Sequence, residues 1–169
     1  GGDGGAVGVG TGVIEAQLNL KYALALKAEL EARGMSVVLT REDEKALGPG
    51  KKSDMATRKQ IMNDAEADIV VSIHMNKFRD RKANGPMAFY EKDNEQGKSL
   101  ATCVIKAVCA RLERNPRIAS AADFFIVRES EPPAVLVECG FLSNAAEEKL
   151  LQTDEHMQKL VCGIADGIE

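Results

Sequence analysis

The chain has 169 residues, a hydrophobic fraction of 44% and a net charge of −4 at pH 7, values typical of one globular domain rather than of a disordered chain. The mild acidic balance argues against a nucleic-acid binder, which needs a positive surface to hold phosphates. No stretch approaches the roughly 18 apolar residues of a membrane span, and no signal segment opens the sequence. The four cysteines form no CxxC pair, so a zinc ribbon is not expected.

Residues 1–12 are mostly glycine and other small residues, which predicts a loop. Apolar residues at helical spacing, capping residues and a terminating glycine then predict five helices. These helices cover 14–32, 53–66, 94–113, 145–151 and 154–168. Short apolar, β-branched or aromatic runs predict five strands. These strands are Val37–Thr40, Ile69–Ile73, Met87–Tyr90, Phe124–Val127 and Ala134–Val137.

Strands that alternate with helices predict an α/β fold, in which helices cover both faces of a twisted, mostly parallel or mixed sheet. The sequence shows no internal repeat and no linker, so we expect residues 1–169 to form a single domain. A glycine-rich loop that leads into a helix usually follows a strand in such folds. Here no strand precedes the loop, so the fold is expected to lack its first strand.

Three ionisable residues lie where a fold of this class would form its active site. His74 and Glu138 follow predicted strands, and Glu15 begins the first predicted helix. Active sites of open α/β sheets lie at the carboxyl ends of the strands, and imidazole and carboxylate groups are zinc ligands. The simpler interpretations are that Glu15 complements the helix dipole and that His74 is a hydrogen-bonded structural group. Glu138 is harder to explain in this way, because its apolar neighbours indicate costly burial.

Other features carry weaker signals. The glycines of residues 8–12 resemble a nucleotide-binding loop, but the strand that such a loop requires is missing. His156 lies among polar residues of the last helix, and we expect it at the surface without a role. A cluster of basic residues between two predicted strands is either a partner site or, as favoured here, a solvated loop. The cluster consists of Lys77, Arg79, Arg81 and Lys82.

Four stretches along the chain carry a family resemblance. They are Asp3–Gly8, Glu15 with Asn19–Leu20, Ser72–Asn76 and Pro133–Asn144 (PAVLVECGFLSN). With these stretches in this order, the sequence resembles the zinc-dependent N-acetylmuramoyl-L-alanine amidases of the catalytic type 3 family over essentially its whole length. The first stretch looks most like the germination-specific cortex amidases of spore formers.

The resemblance implies a zinc enzyme that cleaves the amide between the lactyl group of N-acetylmuramic acid and L-alanine in peptidoglycan. Carried over, Glu15 and His74 are zinc ligands, and Glu138 is the general base and then the general acid. Asn76 and Arg128 would border the cleft, where Arg128 could meet a carboxylate of the stem peptide. For both, an ordinary polar role at a loop edge is the favoured interpretation.

The sequence departs from the family pattern at its start. The family's first strand and a third zinc ligand, a histidine, would lie upstream of Gly1, so we expect a truncated form of a longer protein. That protein would carry a signal or anchor segment and would act outside the cytoplasm at the cell wall, including the spore cortex. The alternative is an inactive, metal-poor amidase fold that binds peptidoglycan or a partner protein. A regulatory protein partner is also expected.

Overall fold

The computed structural model describes residues 3–169, which form six helices and four strands. The helices are α1 (Glu15–Ala32), α2 (Lys51–Asp64), α3 (Glu95–Arg111), α4 (Phe125–Glu129), α5 (Ala145–Leu151) and α6 (Asp154–Ile168). The strands are β1 (Val70–Asn76), β2 (Met87–Tyr90), β3 (Ser120–Ala121) and β4 (Ala134–Phe141). In this part of the chain no helix is both long enough and apolar enough to cross a membrane.

The strands form one mixed sheet in the order β1-β4-β2-β3. Strand β4 pairs in parallel with β1 and antiparallel with β2, and β2 pairs in parallel with β3. The run Ala134–Val137 of β4 is buried throughout, as expected for a strand that is covered on both faces. The predicted α/β class with a mixed sheet is therefore confirmed.

Alternation along β4 divides the core between the two faces of the sheet. Val135 and Val137 point into the larger cluster, which α1, α3 and α6 cover. Ala134 and Leu136 point to the other face, where they pack with Val127 of α4 in a smaller cluster. Helices thus cover both faces, as predicted.

Helices α3 and α6 pack closely because α6 presents glycines to α3. A Cβ at Gly163 would lie 2.7 Å from Cα of Val108, and a Cβ at Gly167 would collide with Cα of Val104. These two glycines therefore set the distance between the helices, since backbone atoms of α3 cannot move aside as a flexible side chain could.

The prediction of a strand at Val37–Thr40 was wrong. The segment is irregular, and Val38 is 65% exposed. None of the strands in residues 3–169 lies beside it to accept its backbone hydrogen bonds. A β-branched run forms a strand only where a partner is available, because β-propensity depends on context.

The prediction of a strand at Phe124–Val127 was also wrong, because Phe125–Glu129 forms helix α4. The short strand β3, which the sequence analysis missed, already occupies the edge of the sheet beside β2. The apolar side chains pack onto the sheet face instead. The Phe124 ring meets the Phe89 ring edge-on, with centroids 5.3 Å apart, and Val127 is buried.

The other predicted elements are present, with helix ends within two residues of those expected. Strands β1 and β4 run further than predicted, to Asn76 and Phe141. His74 and Glu138 therefore lie within strands rather than after them. The added residues of β1 and β4 pair with each other, as far as Asn76 and Phe141.

We predict that Gly167→Ala destabilises the fold. Alanine gains about 1 kcal/mol of helix propensity, but the added methyl group must push α6 away from the backbone of α3. We expect a net loss of about 1–3 kcal/mol in the free energy of unfolding, measured by urea denaturation. Gly50→Ser is the control, because no atom lies within 4 Å of its Cβ position and serine is a good N-cap. Equal stability of both variants and the parent would contradict this account of the helix contact.

Candidate active site

A row of side chains crosses the sheet at the carboxyl end of β1. His74 of β1 is the register partner of Glu138 of β4, and Glu138 pairs with Met87 of β2 on its other side. Because residues directly opposite in neighbouring strands project to the same face, these three side chains lie side by side. Asn76 follows past an irregularity in register, and its amide nitrogen lies 3.8 Å from Sδ of Met87.

The first residue of α1 brings a second carboxylate to this row. Oε1 of Glu15 lies 2.9 Å from Nδ1 of His74. The Ala6 amide donates to Oε2 of Glu15 at 2.7 Å, and the Asn19 side chain donates to Oε1 at 3.2 Å. Burial opposes ionisation, but the hydrogen bonds from His74 and Ala6 outweigh it and hold the pKa of Glu15 below its usual range. Glu15 is therefore a fixed, ionised carboxylate in contact with the imidazole.

The turn before α1 leaves room for that carboxylate only because it contains glycine. Gly5 has φ +70°, and a Cβ there would collide with the Glu15 carboxylate. The backbone closes around the site through hydrogen bonds from the amide of Glu15 to the carbonyl of Ala6 and from the amide of Ala16 to the carbonyl of Gly4. Glycine at position 5 thus satisfies both the backbone angle and the space requirement.

Glu138 is the unusual group in the row. Its Oε2 atom is buried and has no hydrogen-bond partner among the described residues. Burial raises its pKa to about 7; His74 opposes the shift, and the negative charge of Glu15 adds to it. A carboxyl group with a pKa near neutrality can both accept and release a proton under physiological conditions.

The side chains around His74 include some, but not all, of the ligands that a zinc site needs. A carboxylate and an imidazole in contact are both zinc ligands, and the unpartnered Oε2 of Glu138 is a further polar atom directed into the same region. Within residues 3–169, however, no group of three or more His, Cys, Asp or Glu side chains is arranged to hold a metal ion. Among the described residues, Glu15 and His74 are thus two neighbouring side chains of ligand type, fewer than the three protein ligands usual in a catalytic zinc site.

The glycine-rich loop is held by a carboxylate that the sequence analysis did not single out. Glu148 of α5 is fully buried and accepts hydrogen bonds from the amides of Gly10 at 2.5 Å and Thr11 at 2.8 Å and from the Thr11 hydroxyl at 2.6 Å. Burial alone would raise the pKa of Glu148, but these bonds hold it below its usual range. The loop amides that would bind a phosphate are thus already occupied.

The neighbouring Glu147 is buried as well and joins two other segments. It accepts from the amides of Gly85 at 2.6 Å and Phe141 at 2.9 Å, so it ties the β1–β2 loop to the end of β4. Burial raises its pKa against these hydrogen bonds. In the sequence, both glutamates are ordinary first-turn residues of a helix, and nothing there signals partners more than 60 positions away.

Two further residues discussed in the sequence analysis, Arg128 and His156, lie outside this row of side chains. Arg128, on α4, is paired with Asp123 at 2.5 Å and with Glu129 at 3.0 Å. His156 was expected at the surface, but it is half-buried and its Nε2 atom has no partner among the described residues. Burial lowers the pKa of His156. The sequence analysis missed this because polar neighbours along a helix do not show which face of the helix is covered.

Comparisons with known proteins identify the family of the chain. The family model for N-acetylmuramoyl-L-alanine amidases (Amidase_3) matches residues 1–169. The chain belongs to this amidase family. Among its relatives, the germination-specific N-acetylmuramoyl-L-alanine amidase of Bacillus subtilis (strain 168) is 29% identical over 175 residues, covering 98% of this chain and 73% of the relative.

Solved amidase structures share the fold. The CwlD amidase from Clostridioides difficile, in complex with the GerS lipoprotein, superposes with a TM-score of 0.94 at 32% identity, over 99% of this chain and 91% of that one. The catalytic domain of CwlV from Bacillus (Paenibacillus) polymyxa var. colistinus gives 0.88 at 32% identity, over 99% and 90%. This amidase therefore hydrolyses the amide between N-acetylmuramic acid and L-alanine in peptidoglycan.

We predict that Glu148→Ala lowers the free energy of unfolding by about 1–3 kcal/mol at neutral pH, because it leaves buried loop amides without an acceptor. The pKa of Glu148 is depressed in the fold, so its stabilisation is present above the ordinary glutamate pKa of about 4.3 and is lost as the pH falls through the folded-state value. Urea denaturation at a series of pH values should show the variant and the parent converging in acid.

Glu155→Ala serves as the control for Glu148→Ala, since Glu155 is exposed on α6 and its one ion pair within residues 3–169 is with Lys159. We expect it to change stability little. If Glu148→Ala were as stable as this control at neutral pH, the glycine-rich loop would not depend on the buried carboxylate.

Proposed function

We propose that this amidase is a zinc hydrolase in which Glu15 and His74 hold the metal and Glu138 moves the proton. The observation that carries the proposal is the 2.9 Å contact between Oε1 of Glu15 and Nδ1 of His74. Beside it lies Oε2 of Glu138, which is buried and has no hydrogen-bond partner within residues 3–169. The family resemblance implies a third ligand, a histidine upstream of Gly1. This would complete the three protein ligands that are usual in catalytic zinc sites.

Glu15 and His74 would hold the zinc ion, which would supply a Lewis acid's ability to polarise the amide carbonyl and to acidify water. Glu138, the neighbour of His74 in the sheet, accepts the proton from the attacking water at a carboxylate oxygen. The protonated carboxyl group then releases that proton to the departing nitrogen of L-alanine. Burial suits Glu138 to both steps, because it raises the pKa of the side chain to about 7.

Two further residues, Asn76 and Arg128, would border the substrate cleft. Asn76 lies beyond His74 on β1 with its amide near Met87, where it can hydrogen-bond the substrate backbone. Arg128 lies on α4, which packs against Leu136 on the face of the sheet that also carries Glu138, although both of its ion pairs would have to loosen before it could bind a stem-peptide carboxylate. These two residues are proposed contacts of the bound muramyl peptide.

The site of action and the partner are inferred from the relatives. Peptidoglycan lies outside the cytoplasm, so the enzyme works extracytoplasmically, and the germination-specific relative favours the spore cortex as its substrate. The Clostridioides difficile relative was solved together with a lipoprotein. A regulatory protein partner is therefore part of the proposal for this chain.

The test of the mechanism is Glu138→Gln in a chain extended upstream to include the third ligand. Glutamine keeps the size of the side chain but cannot carry the proton, so we expect kcat on purified muropeptides to fall by about 10²–10⁴-fold. Thermal stability should not decrease, because the substitution removes an unpartnered buried carboxyl group.

Glu131→Gln is the matched control, because Glu131 is exposed just before β4 and should retain the parent's rate. Turnover by Glu138→Gln at the parent's rate would overturn the assignment of the general base. A loss of turnover in both variants would also contradict it, since the control leaves the row of site residues intact.

A further inference from the structure

The loop between β1 and β2 carries a concentration of positive charge next to the site. It begins three residues after His74 and holds four exposed cations but only one acidic residue, Asp80, in a chain whose net charge is −4. Within residues 3–169, none of these four side chains forms an ion pair. The four are Lys77, Arg79, Arg81 and Lys82.

The backbone of this loop is anchored at both ends. The amide of Phe78 donates to Oγ of Ser143 at 3.0 Å, and the amide of Gly85 donates to the buried Glu147 at 2.6 Å. The Asn144 side chain donates to the carbonyl of Ala83 at 3.3 Å. The cations are thus presented on backbone tied to the end of β4, the strand that carries Glu138. Such anchoring reduces the entropy cost of binding.

The loop lies within reach of the substrate's peptide. Lys77 follows the end of β1 and lies three residues beyond His74 in the chain, so the backbone between them spans at most roughly 10 Å. An extended peptide of four residues spans roughly 13 Å. A stem peptide whose first amide lies at His74 and Glu138 can therefore reach the loop, and the peptide of peptidoglycan carries free carboxylates beyond its first alanine.

We propose that the loop formed by residues 77–82 binds the carboxylates of the peptidoglycan stem peptide. Its cations are free to pair, whereas the guanidinium of Arg128 already meets Asp123 and Glu129. Phe78, 60% exposed between Lys77 and Arg79, adds an apolar surface of the kind that is enriched with arginine at binding interfaces. This assignment rests on the proposed function, since it takes the cleaved amide to lie at His74 and Glu138, and it adds a role for the loop.

The test measures binding without turnover. A muropeptide with free carboxylates is titrated calorimetrically into the Glu138→Gln protein and into the same protein with Lys77, Arg79, Arg81 and Lys82 all changed to glutamine. Losing a few exposed charge pairs should weaken binding about tenfold, and the difference should shrink at high salt. The same muropeptide with its carboxylates amidated should bind both proteins equally and weakly.

The matched control carries an equal change in charge at four exposed cations that form no ion pair among the described residues and lie elsewhere on the fold. They are Lys52, Lys92, Lys106 and Lys149. This control should bind the free muropeptide like the Glu138→Gln parent. The proposal is overturned if the loop variant also binds like that parent, as it would if the loop served an acidic protein partner instead. It is equally overturned if the loss persists with the amidated ligand.

The experiment distinguishes a failure of the loop proposal from a failure of the catalytic proposal. Cleavage by the Glu138→Gln protein would appear as product and would contradict the role of Glu138. The role of the loop is decided by the difference in Kd between its variant and the matched control.

Discussion

The candidate site depends on the contact between Glu15 and His74, which joins the first turn of α1 to the end of β1. Two features of the preceding turn hold the Glu15 carboxylate in place. The Ala6 amide fixes the second oxygen of Glu15, and Gly5 turns the chain without a Cβ where that carboxylate lies. Further along the same loop, Glu148 holds Gly10 and Thr11. The loop and the helix that follows it are thereby fixed, together with a strand from a distant part of the sequence, around two side chains that suit zinc.

Three largely buried glutamates show how the fold separates structural from chemical carboxylates. Glu147 and Glu148 have backbone donors on their oxygens, as buried polar groups usually do. Glu138 has an oxygen without any described partner, and its pKa is raised to about 7. A buried polar atom left unsatisfied costs stability. Its place beside His74 gives this cost a functional explanation, because a proton carrier needs an oxygen that is free to react.

The sequence was sufficient for the α/β class and for most helices, since strong periodicity and an apolar run such as Ala134–Val137 are local signals. It also singled out Glu15, His74 and Glu138, which the fold brings together. Long-range pairing was not predictable. Nothing local shows that Glu148 binds residues 10 and 11, and the same holds for the partners of Glu147. The two errors have the same origin. Val37–Thr40 lacks a neighbouring strand, and Phe124–Val127 meets a sheet edge already occupied by β3, so tertiary context overrode local propensity in both.

The central claim, that Glu15 and His74 together hold zinc, is tested most directly by zinc content and affinity in a chain extended upstream to include the third ligand. The account predicts about one zinc per chain in the parent and in Glu138→Gln, and a loss of affinity of more than about 100-fold in Glu15→Ala and His74→Ala. Zinc bound equally by all four proteins, or by none of them, would contradict it.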